Sequence, residues 1–278
     1  MKIVSVGEIT SDHYLKQKSY YVGGRSLNFA VHAKRSGAET VSLVSCVGSR
    51  AVDGWILKLL VFEGVDHSRV AVLEGKTAEC AIDVEVNGDR VFPAGGYHEN
   101  VLSQLSLTED IKGFLNLHDI VVTIYDGPQI DSICNQLVQL PKNGILRVVD
   151  FGNCSNGRIK EVSPGLFKQL DLAFFSGDLA ALEYLLPLAK ACACQFVITM
   201  GAQGSVALTA DGVIRQSALP AEVVVDSTGC GDSFQGAFTV SYFRDGDIAK
   251  ALEAGAKQAA EVLQYFGAFD QLQANITL

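Results

Sequence analysis

Short apolar runs alternate with longer amphipathic segments along most of the chain. The short runs are rich in β-branched residues and predict buried strands at Ile3–Val6, Val41–Val47, Asp119–Thr123, Leu146–Phe151, Leu172–Phe175, Phe196–Met200 and Ser205–Leu208. The longer segments predict helices at Ser26–Ser36, Val52–Glu63, Thr108–Leu115, Gln129–Leu140, Asp178–Lys190, Asp232–Phe243 and Asp247–Phe266. Continuous apolar strands separated by helices indicate an α/β fold, with a mainly parallel sheet covered on both faces. At this length one domain can span residues 1–278.

One segment departs from this alternation. Side chains alternate in polarity over Ala78–Val86, and Asn87-Gly88-Asp89 separates this run from the shorter Arg90-Val91-Phe92. Alternation on both sides of an Asn-Gly pair predicts a β-hairpin rather than another strand–helix unit. Such a hairpin either covers the ligand edge of the sheet as a small lid or lies on the surface without a role, and periodicity does not separate the two.

Composition and charge narrow the classes of function. The 278 residues include 48% hydrophobic residues, and 22 Lys and Arg stand against 31 Asp and Glu, for a net charge of −9. This acidic balance argues against broad binding to duplex DNA or anionic membranes, which requires clustered basic residues. The N-terminal segment lacks the apolar middle of a signal peptide, and no run of about eighteen uncharged apolar residues occurs. We therefore expect a cytoplasmic protein with no nucleic-acid or membrane partner.

Seven cysteines form no C-x-x-C pair. Cys192-Ala193-Cys194 is a candidate for a soft metal, but the five histidines are scattered and complete no ligand set. We expect reduced, mostly buried thiols, because free cysteine commonly packs as a small hydrophobic residue.

The strongest chemical signal is Asp226-Ser227-Thr228-Gly229-Cys230-Gly231-Asp232, which directly follows the strand-like Val223–Val225. Paired glycines before a helix can direct several backbone N–H groups at one anion, and the helix dipole favours an anion there. A helix N-cap would explain Asp232 alone, but not the glycines or Asp226. The alternative is that Asp232 is a general base for phosphoryl transfer, which depends on positioning and charge stabilisation. The chain contains neither a Walker-type P-loop nor a G-x-G-x-x-G after the first strand.

Two weaker glycine signals accompany this one. In Gly23–Ala30, Gly24 permits close approach of a ligand, and the Asn28 amide suits vicinal hydroxyls of a sugar. Asp12 can supply a carboxylate to the same polyol. In Thr199–Gly204, two glycines either allow nucleotide phosphates to lie against the main chain or form an ordinary turn.

In this order the three signals resemble the PfkB carbohydrate kinase family, also called the ribokinase-like family, from Gly7 to Gly267. Asp226–Asp232 looks like the family's D-T-x-G-A-G-D signature, and Gly23–Asn28 resembles its G-G-x-x-x-N motif. The resemblance implies a ribokinase-like three-layer α/β/α fold with a small β-strand lid, at about residues 8–22 and 76–97. It also implies ATP-dependent phosphorylation of a sugar-type hydroxyl with Mg²⁺, and often with a monovalent cation such as K⁺.

The resemblance assigns roles to residues that match the motifs. The implied catalytic base is Asp232. The implied anion hole consists of Gly229, Cys230 and Gly231. The implied substrate contacts are Asp12, Gly24 and Asn28. The implied ATP contacts are Thr199, Gly201 and Gly204.

Two departures from the family pattern leave questions open. Ser176-Gly177-Asp178-Leu179 stands where many members have the Asn-x-x-Glu linked to hydrated Mg²⁺, so the metal ligands are unknown, and Asp178 and Glu183 are the candidates. Cys230 replaces alanine, which raises the rival idea of a nucleophilic thiol whose pKa is lowered at a helix N-terminus. No histidine is adjacent in sequence to assist it.

Within the family, the chain resembles the fructoselysine 6-kinase branch in residues 87–92, in the lost Asn-x-x-Glu and in the ending Gln264–Phe269. A fructoselysine-like acceptor is therefore favoured. The alternatives are a kinase of ribose, fructose, 2-keto-3-deoxygluconate or a nucleoside, and a non-catalytic homologue that binds a sugar or nucleotide. The lid also implies a homodimer.

Overall fold

A large sheet runs through the centre of the computed structural model, which describes residues 1–50, 53–154 and 157–271. Its nine strands lie in the order β14-β13-β12-β11-β10-β9-β1-β4-β5. They are β1 Lys2–Val6, β4 Thr40–Gly48, β5 Asp66–Leu73, β9 Ile120–Ile124, β10 Leu146–Asn153, β11 Leu172–Ser176, β12 Gln195–Thr199, β13 Ser205–Thr209 and β14 Gly212–Gln216. In this spatial order, every strand from β5 to β12 is parallel to its neighbours. β13 is antiparallel to β12, and β14 is antiparallel to β13. The predicted mainly parallel sheet is confirmed.

Helices cover both faces of this sheet. They are α1 Arg25–Arg35, α2 Gly54–Phe62, α3 Glu109–Leu115, α4 Pro128–Gln139, α5 Pro164–Phe167, α6 Leu179–Ala191, α7 Cys230–Asp245 and α8 Ile248–Val262. Apolar side chains of α1, α2, α7 and α8 pack on one face, together with Ile3 and Leu43. Those of α3 to α6 pack on the other face, where Val4 and Val44 point. Neighbouring strand residues thus fill two cores, because both sides of the sheet are buried.

A smaller sheet stands apart from the large one, in the order β3-β2-β6-β7 with β8 paired to β6. Its strands are β2 Thr10–Tyr14, β3 Ser19–Gly23, β6 Ala78–Val84, β7 Arg90–Val91 and β8 Tyr97–His98. The predicted hairpin is present, since β6 pairs antiparallel with β7. Gly88 supplies the positive φ of 84° that its turn requires.

Two sequence predictions near the C-terminus are wrong. Val223–Val225 is not a strand: Val223 and Val224 are about half exposed, at 51% and 48%, and this segment pairs with no strand in the described part of the chain. β-branched residues favour a strand, but without a neighbouring strand to pair with they do not form one. The helix predicted to reach Phe266 ends at Val262, and residues 263–268 turn back toward the paired glycines. Val52, where another predicted helix begins, lies outside the described residues.

No helix in the described part of the chain is long and apolar enough to cross a membrane.

Candidate active site

Acidic side chains gather where the parallel strands end. Glu8 follows β1, Asp126 follows β9, and Asp150 lies near the end of β10, which are neighbouring strands of the large sheet. The carboxyl edge of such a sheet is where open α/β folds bind ligands. Three further elements reach this edge: the N-termini of α1 and α7, and the smaller sheet.

The paired glycines form the start of α7. Gly229 is the N-cap residue, with a φ of 75°, and a Cβ atom there would overlap Ala268. Gly231 differs, because a Cβ on it would meet no atom within 4 Å. The first amides of a helix lack intrahelical partners, so this open helix start can bind an anion. Cys230 N makes only a long hydrogen bond, 3.4 Å, to the carbonyl oxygen of Ser227, and the anion hole at Gly229 to Gly231 stays a prediction.

Asp232 lies in the first turn of α7 and is 8% exposed. It does not cap the helix, which has no side-chain cap; instead Asn28 Nδ2 of α1 donates to Asp232 Oδ2 at 2.7 Å. Burial raises the pKa of Asp232 to about 6, against the lowering effects of the Asn28 hydrogen bond and of the Arg25 charge; nearby Asp150 raises it further. A carboxyl group with a pKa near neutrality is suited to accept a proton.

Asn28 contacts Asp232, and Asp12 is near enough for the charge of Asp232 to act on it. The Oδ1 atom of Asn28 is buried and has no hydrogen-bond partner among the described residues. Asp12, on β2, is 4% exposed and accepts a hydrogen bond from Thr10 Oγ1 at 2.6 Å. Burial raises the pKa of Asp12 to about 7, and the nearby negative charges of Glu8 and Asp232 add to the shift.

Gly24 is required by the packing of the chain's own backbone, and its contact with a substrate stays a prediction. Its φ is +98°, and a Cβ atom would lie 2.7 Å from the carbonyl oxygen of Glu8. The backbone that approaches Gly24 closely is therefore the chain's own, at the turn after β1. The glycine joins the start of α1 to this turn, which also carries Glu8.

Sequence reasoning missed a charged cluster around Arg25. Its guanidinium donates to Glu8 at 3.2 and 3.3 Å and to Asp126 at 3.0 Å, and Asp150 lies 3.9 Å away. Tyr97 of the smaller sheet donates to Glu8 at 3.4 Å. The position of the three carboxylates after adjacent strand ends was the available signal. The cluster ties five segments of the chain together near Asp232.

Asp226 holds the loop before α7 in shape. Its fully buried carboxylate accepts hydrogen bonds from Tyr14 Oη at 2.5 Å, Gly267 N at 2.9 Å, and the N and Oγ1 atoms of Thr228 at 2.9 and 2.7 Å. These donors belong to β2, to the turn after α8 and to the loop itself. The second acidic residue of the motif is therefore structural, whereas Asp232 faces the site.

A cavity of about 860 Å³ opens on the other side of the helix start. Its wall includes Thr199, Gly201, Gly204, Cys230 and Gly231, so the two predicted glycine loops meet in one cavity. A Cβ atom on Gly201 would meet nothing within 4 Å. A Cβ on Gly204 would overlap the carbonyl oxygen of Gln216, so this glycine is required by packing against β14.

Comparison with protein families identifies the class of protein to which this chain belongs. The model of the pfkB family carbohydrate kinases matches residues 2–123 and 169–275. The chain belongs to this family. It is accordingly a carbohydrate kinase, a phosphotransferase with an alcohol group as acceptor, and the family resemblance noted in the sequence is confirmed.

Curated relatives of this kinase include two enzymes that match it over nearly their whole lengths. Fructosamine kinase FrlD of Bacillus subtilis is 30% identical over 97% of this chain and 93% of its own. Fructoselysine 6-kinase of Escherichia coli K12 is 28% identical over 96% of this chain and 99% of its own.

Solved structures agree on the fold of the kinase. Adenosine kinase from Sinorhizobium meliloti has a TM-score of 0.80 at 16% identity, covering 96% of this chain and 95% of that one. Arabidopsis thaliana ribokinase, in complex with ribose and ATP, has a TM-score of 0.75 at 18% identity, covering 96% and 93%. The ribokinase-like fold is therefore confirmed.

The nucleophilic-thiol hypothesis is wrong for this kinase. Burial raises the pKa of Cys230 to about 12, which outweighs any lowering at the helix N-terminus. Its Sγ donates weakly to the carbonyl oxygen of Ala259 at 3.7 Å. All seven cysteines are free, as predicted.

The kinase presents no ready-made metal cage. Among the described residues, no group of three His, Cys, Asp or Glu side chains can hold a metal ion, and this includes Cys192 and Cys194. Asp178 is exposed and accepts hydrogen bonds from Ala180 N and Ala181 N as the N-cap of α6, and Glu183 is also exposed. Mg²⁺ commonly binds through substrate phosphates and keeps several waters, so an ion that arrives with the nucleotide needs no such group.

Proposed function

We propose that this kinase phosphorylates a fructoselysine-like acceptor, a sugar joined to an amine. The observation that carries the proposal is the charge of the acceptor site. Four carboxyl groups lie in or near it, opposed by the guanidinium groups of Arg25 and Arg90: Glu8, Asp12, Asp150 and Asp232. A glycated amine carries a secondary amine that is protonated near neutral pH. Such a cation is attracted to this site, whereas the carboxylate of a sugar acid is repelled.

The two full-length relatives named above support the same class of acceptor. The alternative acceptors remain ribose, fructose, 2-keto-3-deoxygluconate and a nucleoside. A neutral sugar gains nothing from the acidic surroundings, and an anionic one loses binding energy there. Charge therefore separates the favoured acceptor from its competitors.

In the proposed reaction, Asp232 takes the proton of the acceptor hydroxyl while that oxygen bonds to the γ-phosphorus of ATP. The bond between the γ-phosphorus and the β,γ-bridging oxygen breaks, and ADP leaves. The amides of Gly229, Cys230 and Gly231 stabilise the charge on the transferring group. Asp12 and the unpartnered Oδ1 of Asn28 hold the acceptor hydroxyls.

ATP occupies the cavity between the two glycine loops in this proposal. Thr199, Gly201 and Gly204 form one wall, and Ala256 and Ala260 of α8 line the other. Mg²⁺ enters with the phosphates, whose charge it neutralises. A requirement for a monovalent cation such as K⁺ stays a prediction.

We further propose that the smaller sheet acts as the lid of a single ribokinase-like domain and forms a homodimer contact. Its partly exposed apolar side chains support an interface: Leu15, Tyr20, Val91 and Phe92. Use of ATP supports the expected cytoplasmic location.

A panel of acceptors tests the substrate. ADP release is measured at fixed Mg·ATP with fructoselysine, another fructosamine, ribose, fructose, 2-keto-3-deoxygluconate and inosine. We expect kcat/KM for the glycated amines to exceed that for the uncharged sugars by at least about tenfold, because a partly desolvated charge pair contributes more than 1.4 kcal/mol. A matched control is the N-acetylated form of the same glycated amine, or ketosamine, which keeps the sugar and loses the positive charge. Equal rates for the acetylated and free ketosamines would contradict the charge argument, and thermal stabilisation without ADP release on any compound would contradict the kinase.

The pH dependence of the reaction tests the two buried carboxyl groups. Because Asp12 and Asp232 have pKa values raised to about 7 and about 6, kcat/KM is expected to fall as pH decreases through this range. In Asp12→Asn the titration near pH 7 is removed, so we expect the acid limb to begin lower, near the pKa of about 6 of Asp232. Profiles from pH 5 to 9 for both proteins check this. An acid limb that still begins near pH 7 in Asp12→Asn would contradict its assignment to Asp12.

A further inference from the structure

The tip of the hairpin is fastened to the loop before α7. Ser227 N donates to the carbonyl oxygen of Gly88 at 2.9 Å, and Arg90 N donates to Ser227 Oγ at 3.1 Å. A Cβ atom on Gly88 would lie 2.5 Å from Val224, so the two segments are in direct contact. The hairpin therefore packs against the segment of exposed valines that was predicted to form a strand. These contacts hold the residue that follows the hairpin turn beside the start of α7.

That side chain is Arg90. Its Nη1 atom donates to the carbonyl oxygen of Ser227 at 2.7 Å, and its guanidinium lies over the ring of Phe92 at 5.6 Å. Within residues 1–50, 53–154 and 157–271 it forms no salt bridge with a carboxylate, in contrast to Arg25, Arg35 and Arg50. A guanidinium has five N–H donors, so most of those of Arg90 are available to a ligand.

The available donors are next to the proposed site of phosphoryl transfer. Arg90 lines the same cavity as Ser227, Cys230 and Gly231. Its positive charge acts on both functional groups at the start of α7, since it lowers the pKa values of Cys230 and Asp232 against the effect of burial. The fastened hairpin thus directs a positive charge at the mouth of the anion-binding turn.

We propose that Arg90 is a further catalytic residue, which binds the γ-phosphoryl group of ATP and stabilises it during transfer. The hairpin supplies this cation from the smaller sheet, while Asp232 and the amides belong to α7, which packs on the large sheet. Arginine matches phosphate oxygens with paired N–H donors, and charge on the transferring group is what a kinase must stabilise. The inference rests on the proposed placement of ATP in the cavity, but it does not depend on which acceptor is used.

Nucleotide binding to Arg90→Ala is the first test. Titration calorimetry with Mg·ADP and with the non-hydrolysable analogue Mg·AMP-PNP measures how strongly each protein distinguishes a γ-phosphate. We expect Arg90→Ala to weaken AMP-PNP at least about tenfold more than ADP, because only AMP-PNP carries the group that Arg90 contacts. Arg90→Lys, which keeps the charge and loses the fork, is expected to be intermediate. Arg244→Ala, at an ion pair with Asp245 on the surface, is the matched control.

Turnover is the second test. With an acceptor that the wild-type protein phosphorylates, kcat of Arg90→Ala is expected to fall about 10²-fold with little change in acceptor KM, as for loss of one charge-stabilising donor. Thermal melting verifies that the variant is folded. Equal weakening of ADP and AMP-PNP binding, or no change in either, would overturn the proposal. Arg90 would then serve only to connect the hairpin to the loop at Ser227. The titrations need no acceptor, so their result does not depend on the fructoselysine proposal. Nucleotide bound outside the cavity would instead overturn the proposed ATP site.

Discussion

Replacing Asp232 with asparagine is expected to reduce kcat by about 10³-fold while the acceptor and ATP still bind. General-base catalysis contributes about 10²- to 10⁴-fold, and an amide cannot accept the proton. Asparagine has the same shape, and its amide oxygen can still accept the 2.7 Å hydrogen bond from Asn28. Initial rates of ADP release at saturating substrates measure the loss, and calorimetry measures acceptor affinity. A kcat within tenfold of the wild type would remove Asp232 from the role of base.

The same substitution is expected to stabilise the folded protein at pH 8. Burial raises the pKa of Asp232 to about 6, so the folded state binds this proton more tightly than the unfolded state. The contribution of this tighter proton binding to the free energy of unfolding is fully present below the unfolded pKa of 3.8 and is lost as pH rises through about 6. At pH 8 the charged carboxylate therefore costs stability, on the order of 3 kcal/mol, which asparagine relieves. Lower activity with a higher Tm separates loss of the base from unfolding; Asp178→Asn, an exposed helix cap, is the control.

Replacing Asp226 with alanine is expected to lower the free energy of unfolding by about 4 kcal/mol. Four donor groups lose their buried acceptor, and each unsatisfied donor costs about 1–3 kcal/mol before relaxation. In thermal melts, a loss of this size corresponds to a decrease in Tm of about 10 °C. Activity falls as well, because the loop that holds Gly229 loses its connections to β2 and to the turn at Gly267.

Tyr14→Phe provides a graded control for this result. It removes one of the four donors and leaves the carboxylate with three, so we expect a loss of about 1 kcal/mol. If Asp226→Ala were no more destabilising than Tyr14→Phe, the carboxylate would not be the residue that organises the loop.

Local signals in the sequence located the helix start but explained only some of its residues. Gly229 and Asp232 were identifiable because the turn before α7, which we propose binds an anion, is encoded within seven consecutive residues. Gly24 and Gly204 were located correctly, but their conformational freedom serves contacts with Glu8 and Gln216, which are set by tertiary packing. Propensity alone indicated a strand at Val223–Val225, where the chain instead meets the hairpin.

The Arg25 cluster could not be derived in the same way. Arg25 is 17 residues from Glu8 and 101 from Asp126, and only the order of strands in the sheet brings them together. The prediction of a parallel sheet placed several strand ends at one edge, but it did not give their order. The contact between Arg90 and Ser227 spans 137 residues and depends on how the two sheets meet.

A crystal structure with AMP-PNP, Mg²⁺ and a ketosamine acceptor tests the central claim most directly. The account predicts γ-phosphate oxygens within about 3.2 Å of amide nitrogens among Gly229, Cys230 and Gly231, and the acceptor hydroxyl within hydrogen-bond distance of the Asp232 carboxylate. It would be contradicted by phosphates bound away from the start of α7, or by an acceptor hydroxyl out of reach of Asp232 in a closed complex.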